Sequence, residues 1–248
     1  MFDFTGQVVY VTGGGSGIGA ATCAELTQLG AHVVVSDVNG EAAKQVASQA
    51  TGPGSAQAVT LDVTDFDGVH RSVDEIVSEH GKIDAMITVA GWSETHPLLT
   101  ETPEYWRKVV DINYYGTLNP IHAVLPHMSS AGYGRIVTFS SDAARVGTFG
   151  EAVYAGAKAG VIALTKSVAR EVGRQGIVAN TVSPGVTDTP LMRHQDQKVI
   201  DKMVRLVTLK RLGEPREVAA AAIFLASRDV GFITGQVISV SGGLTMVD

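Results

Sequence analysis

The chain has 248 residues, 45% of them hydrophobic and 18% charged, enough apolar material for a large core and no stretch poor enough in it to stay disordered. Nineteen Lys and Arg against twenty-five Asp and Glu give a net charge of -6, and no basic cluster forms a phosphate-tracking stripe, so a nucleic-acid partner is not expected. No apolar run approaches the roughly 18 residues that span a bilayer, the opening MFDFTGQVVYVTGGG has no basic leader, and the single Cys23 cannot close an intrachain disulfide. A soluble, cytoplasmic protein with no membrane contact is expected, with Cys23 buried in the first helix.

Gln7 to Thr12 is a short apolar run that ends in glycines, and Ile18 to Leu29 then carries apolar residues at helical spacing until Gly30. This reads as strand, glycine turn, helix. The pattern repeats: strands at His32–Ser36, Ala56–Leu61 and Asp84–Val89, with helices at Gly40–Ala50 and Asp65–His80 between them. It continues with one long helix from about Pro103 to Ser129, a strand at Arg135–Phe139, a helix over Tyr154–Arg174 and a strand at Ile177–Val182. After Pro184-Gly185 comes a polar, irregular piece, 188–207, with the composition of a lid; Glu214–Ala226 returns to helix and Gln236–Val240 to strand. Such alternation predicts an α/β fold, a single domain with one doubly wound parallel sheet of Rossmann type, helices on both faces and a small substrate lid.

Gly13, Gly17 and Gly19 fall at the first strand-to-helix turn, where absent side chains let backbone N–H groups and the helix N-terminus approach a pyrophosphate. Three glycines there also suit close packing of helix on sheet. Asp37, at the end of the second strand, is placed either to accept the ribose hydroxyls of a dinucleotide or to cap the helix near Gly40. A carboxylate there repels a 2′-phosphate, and Ser16 and Val38 offer no cation to hold one, so the expected cofactor is NAD.

Tyr154 and Lys158 are four apart and stack on one helix face, which lets an ammonium lower the pKa of a phenol that starts near ~10. That pairing suits proton transfer. The seven histidines form no HxxxH or HExxH pattern, and no metal is expected; His122 and His127 read as solvated or capping. No GxSxG elbow is present to support a serine hydrolase.

Taken in order, Thr12 to Gly19, Asp62-Val63, Ala90-Gly91, Asn113, Ser141, Tyr154, Lys158, and Pro184-Gly185 after Asn180 resemble the short-chain dehydrogenase/reductase family over essentially the whole chain. Two departures are Thr88-Val89, where the family has Asn-Asn, and Thr187, where an aliphatic residue often stands. The resemblance implies that Tyr154 is the general acid/base, that Lys158 lowers its pKa and holds the nicotinamide ribose, that Ser141 binds the reacting oxygen, and that Asn113 holds a water on the proton path. It implies cofactor contacts from Gly13, Ser16, Gly17, Ile18, Gly19, Asp37, Asp62, Val63, Ala90, Gly91, Pro184, Gly185, Thr187 and Thr189, and a homotetramer built on the long helices and the final strand.

Within the family, the segments Gly91-Trp92, Ser141 to Gly147, Gly150 to Tyr154 and Thr187 to Thr189, with the C-terminal stretch Gly231 to Met246, resemble a dehydrogenase of cyclic hydroxyacyl-CoA thioesters. Trp92, Phe149, Leu191 and Met192 then suit an apolar substrate wall. Arg145 suits either an acyl-CoA phosphate or carbonyl, or a pair with Asp142 or Glu151, and Arg193, His194 and Lys198 suit either a CoA tail or plain solvation. The expected activity is NAD-dependent interconversion of a secondary alcohol and a ketone. A 3-oxoacyl-thioester reductase and a non-catalytic dinucleotide sensor are the alternatives; the intact proton-transfer set speaks against the sensor.

Overall fold

β1 (Val8–Thr12) is buried along its whole length because the sheet is covered on both sides, and its side chains alternate between two cores. Val9 and Val11 enter one apolar cluster with Cys23, Leu26, Val218 and Ala222. Val8 and Tyr10 enter the other with Val69, Val73, Ile121, Val124 and Val168. The computed structural model describes residues 2–193 and 196–247.

Seven parallel strands lie in the order β3-β2-β1-β4-β5-β6-β7: β2 is His32–Asp37, β3 Ser55–Thr60, β4 Ala85–Thr88, β5 Gly134–Phe139, β6 Ile177–Pro184 and β7 Val237–Val240. Connections from β1 run outward to β2 and β3, and those from β4 run the other way. The switch therefore lies between β1 and β4, paired from Val9↔Ala85 to Thr12↔Thr88, and the loops leaving these two strands diverge there to open a crevice.

α1 (Gly17–Gln28) and α10 (Pro215–Ala226) pack on each other over the first core. α3 (Phe66–His80), α5 (Gly116–Ala131) and α7 (Ala152–Val172) cover the second, and α4 (Pro103–Val110) packs on α7. Local signals set the ends. Asp65 accepts the Gly68 amide to start α3, and Gly81 ends it at φ 78, a left-handed value that suits glycine. Asn39, not Asp37, caps α2 (Gly40–Ser48) by accepting the Ala42 amide, which removes the capping role considered for Asp37.

Three expectations need correction. The long helix read over Pro103 to Ser129 is interrupted by a π turn at Asp111–Tyr115. There the Asn113 side chain donates to the Val109 carbonyl at 2.9 Å, the acceptor that regular α spacing reserves for its own amide. The piece read as irregular, 188–207, contains α8 (Pro190–Arg193) and α9 (Gln197–Leu206); in α9 the polar residues face outward while Ile200, and Val207 just after it, are buried. Of the two readings of His122 and His127, capping falls, since they hydrogen-bond across to His70 and Asp74 of α3, and solvation holds for His122, which is exposed. Among the described residues, no helix is long and apolar enough to cross a membrane.

Candidate active site

A cavity of about 1220 Å³ opens at the switch between β1 and β4, between the ends of the strands and α8 and α9. Its volume exceeds the usual ~300–1,000 Å³ of a single-ligand pocket. Every position expected to contact the cofactor lines it, from Gly13 to Thr189, and so do Ser141, Tyr154 and Lys158.

At one end the turn after β1 is drawn tight against its neighbours. A Cβ on Gly13 (φ +67) would lie 2.6 Å from the Ala90 amide nitrogen, and one on Gly19 would overlap the Gly13 carbonyl. Asp37 accepts the Gly15 amide at 2.9 Å and the Asn39 amide at 2.9 Å, so its carboxylate is fixed beside the turn and faces the cavity. Backbone amides at the start of a helix, with no side chain in front of them, and a fixed carboxylate beside them fit the phosphates and a ribose of a dinucleotide.

At the other end α7 starts at Ala152, which places Tyr154 in its first turn and Lys158 one turn on. Lys158 is buried and its Nζ donates to the Phe139 carbonyl at 2.9 Å, while its own carbonyl accepts from the Ser140 hydroxyl at 2.9 Å. Ser140 is thereby absorbed in holding the helix to β5. Ser141 faces the cavity and Tyr154, as strand alternation requires.

Burial pushes the Lys158 ammonium down to about 8. The Tyr154 phenol is pushed up, by burial first and then by the Glu151 carboxylate, with the Ser141 hydroxyl opposing both. The lysine Nζ lies 5.9 Å from the centre of the tyrosine ring and is not among the groups that shift the phenol, so the lowering expected from it is not found. The pair thus keeps the phenol protonated and the ammonium near its titration point.

Asn113, fully buried, does not reach the cavity wall. Its side chain donates to the Trp92 and Val109 carbonyls and accepts from the Trp92 amide, and its Oδ1 would lie 3.0 Å from a Cβ on Gly91. It holds the loop after β4 in place.

Trp92, Leu191 and Met192 line the cavity as expected. Arg145 and Phe149 do not. The Arg145 guanidinium donates to the Val247 carbonyl at 2.6 Å, so it pairs with neither Asp142 nor Glu151 and ties down the C-terminal segment. Phe149 is 84% exposed, next to Gly150, where a Cβ would lie 2.6 Å from the Thr95 side chain. Arg193 is held by both oxygens of Asp188, at 2.7 and 2.9 Å; Lys198 lies off the cavity wall, and His194 lies outside the described residues.

Several lining residues escaped sequence reading. Leu244 and Thr245 return from the chain end, Met203 and Leu206 come from α9, Arg107 and Lys108 from α4, and Asp111 from the start of the π turn. The helical spacing of the α4 residues was the available signal. Lys108 lies 3.6 Å from the centre of the Trp92 ring, a cation–π contact that fixes the wall there.

A family model described as "Enoyl-(Acyl carrier protein) reductase" matches residues 13–245. The 3-oxoacyl-[acyl-carrier-protein] reductase FabG of Thermotoga maritima is 36% identical over 242 residues, covering 97% of this chain and 98% of that one. Cis-4-hydroxycyclohexanecarboxylate dehydrogenase of Sinomonas cyclohexanicum is 40% identical over 246 residues, covering 98% of each. Among solved structures, 3-oxoacyl-[acyl-carrier protein] reductase from Brucella melitensis superposes with a TM-score of 0.93 at 33% identity, over 99% of this chain and 93% of that one. Sheet order, cavity and relatives agree: the chain belongs to the short-chain dehydrogenase/reductase family and is an oxidoreductase acting on hydroxyl and keto groups with a nicotinamide dinucleotide.

Proposed function

We propose that this protein is an NAD-dependent dehydrogenase that interconverts a secondary alcohol and a ketone in a single domain whose segment 188–207 acts as a lid. The carrying observation is that Ser141, Tyr154 and Lys158 open on the same cavity as the fixed carboxylate of Asp37. The nicotinamide, when bound, supplies or accepts the hydride. Tyr154 Oη gives a proton to the ketone oxygen, or takes one from the alcohol. Ser141 Oγ hydrogen-bonds that oxygen and orients it. Lys158 Nζ steadies the negative charge that develops on the phenol and reaches toward the nicotinamide ribose. Asn113 positions this machinery through the loop after β4, and the expected water on the proton path would lie between it and Lys158.

NAD over NADP is supported by Asp37, by Ser16 and Val38 as its neutral neighbours, and by the engagement of the cavity's cations elsewhere: Arg107 lies 3.5 Å from Glu104, and Lys108 is over Trp92. The substrate class is a hydroxyacyl-CoA thioester with a cyclic acyl part. Two relatives support this, one acting on an acyl-carrier-linked oxoacyl group and one on a hydroxylated cyclohexane ring. So does the resemblance of the segments around Ser141 and Tyr154 to 2-hydroxycyclohexanecarboxyl-CoA dehydrogenase. A cytoplasmic homotetramer completes the reading, with α4, α5 and α7 and their small residues as the joining surface.

The test compares kcat/KM for matched thioesters, free alcohols and ketones with each cofactor. A thioester advantage of about tenfold or more with NAD is expected, since remote binding energy helps position the reacting carbon. Equal efficiency on thioester and free alcohol removes the CoA part, an NADP preference removes the Asp37 part, and no turnover of any alcohol or ketone removes the whole. Light scattering at micromolar concentration reads the assembly.

A further inference from the structure

Glu151 is an ionisable group of the cavity, close in sequence to Tyr154, that the reaction leaves unused. It precedes α7, three positions before Tyr154, and lines the cavity together with Gly147 and Thr148. Its backbone is anchored: the amide donates to the Thr148 carbonyl at 3.2 Å and the carbonyl accepts from Ala155 at 2.7 Å.

Among the described residues its carboxyl has no hydrogen-bond donor and no ion-pair partner. The nearby cations are committed, Lys158 to the Phe139 carbonyl and Arg107 to Glu104. Arg145, the cation nearest to it in sequence, holds the Val247 carbonyl. The Glu151 carboxylate is the charge that acts on the Tyr154 phenol, and it also acts on Tyr105 of α4, so its field covers the place where the reacting oxygen must sit. The cavity is also lined by the apolar Val146, Leu244 and Met203 and by the neutral Thr148 and Thr245. The cations that also line the cavity, Arg107, Lys108 and Lys158, are engaged by Glu104, the Trp92 ring and the Phe139 carbonyl.

We propose that Glu151 sets the charge preference of the substrate end, turning away acids with a free carboxylate beside the reacting carbon and admitting their neutral esters and thioesters. This rests on the dehydrogenase reading and deepens it. A second anion brought within a few ångströms of a half-buried carboxylate is repelled strongly enough to change affinity by roughly 10-fold to 100-fold. A neutral carbonyl in the same place meets no such repulsion, and when the Glu151 carboxyl is protonated it gains a donor.

The experiment uses a hydroxycarboxylic acid, its methyl ester and an uncharged secondary alcohol of the same ring, assayed with wild type, Glu151→Gln and Glu151→Ala. Wild type is expected to prefer ester to acid by about tenfold or more in kcat/KM. Both variants should bring that ratio to within about threefold, and the pH profile on the uncharged alcohol should move to lower pH because a charge that raises the phenol is gone. An unchanged ester-to-acid ratio in a variant with native circular dichroism overturns the proposal, as does a wild-type preference for the acid. Failure of the underlying dehydrogenase reading looks different: wild type then turns over neither ester nor uncharged alcohol with either cofactor.

Discussion

The Asn113 side chain and the Trp92 peptide units hold each other twice, Nδ2 donating to the Trp92 carbonyl at 2.6 Å and the Trp92 amide donating to Oδ1 at 3.2 Å. The same Nδ2 also reaches the Val109 carbonyl, so one buried amide joins the loop after β4 to the π turn. Asn113→Ala leaves these groups without partners, and orphaned buried groups cost ~1–3 kcal/mol each. We expect a urea-unfolding loss of about 2 kcal/mol or more together with reduced turnover. A variant as stable and as active as wild type would show that the amide holds nothing in place.

Tyr154→Phe removes the proton-transfer atom and leaves the ring that packs at the site. Turnover should fall by roughly 100-fold or more, the scale of general acid/base catalysis, while the cofactor dissociation constant changes little. Fluorescence titration and steady-state assays read the two separately, and near-normal turnover would exclude Tyr154 as the acid/base.

Asp37 is held by two backbone amides and so cannot swing away from a 2′-phosphate. Asp37→Ser should raise the ratio of NADP to NAD efficiency by about tenfold or more by removing one close like charge. The comparison needs one substrate and both cofactors. If the ratio stays where it is in wild type, discrimination lies elsewhere in the cavity.

Lys158 yields a prediction about stability. Its folded pKa, down at about 8, is below the value near ~10.5 of an unfolded lysine. The unfolded chain therefore binds more protons between these values, and stability attributable to this group rises with pH across that window. Below pH 8 the charged form is buried at a cost of up to ~3 kcal/mol, which fades by about pH 10.5. Lys158→Met should consequently gain most over wild type, or lose least, near pH 7, and the difference should shift toward wild type as pH rises from 8 to 10. A pH-independent difference in chemical denaturation would contradict the shifted lysine. Above pH 10 the raised Tyr154 phenol acts in the opposite direction, since the folded state then holds the extra proton.

The central strands β1, β4 and β5 were legible because their apolar runs are buried along their whole length between glycine or polar boundaries, and the alternation placed the half-buried β3 and β7 as well; every strand lies within two residues of its expected bounds. The convergence of Ser141, Tyr154 and Lys158 on one cavity was legible for a similar reason, since four-residue spacing on a helix and alternation on a strand are local rules. What escaped depends on contacts made far along the chain. The helix over Pro103 to Ser129 breaks at Asn113 because that side chain serves Trp92, twenty-one residues away. Arg145 turns from the cavity because Val247 arrives beside it, 102 residues on. No window of neighbouring residues contains such information.

The glycines after β1 carry one more consequence. Gly13 and Gly19 are required by the protein's own main chain, since a methyl at either position would strike Ala90 or Gly13 itself. Their presence would be needed even in a descendant that had stopped using a dinucleotide. Replacing them therefore makes a poor binding-dead control, because misfolding and lost affinity arrive together; a cleaner control alters a side chain that faces the crevice, as Asp37→Ser does, where a hydroxyl leaves an acceptor beside the Gly15 and Asn39 amides.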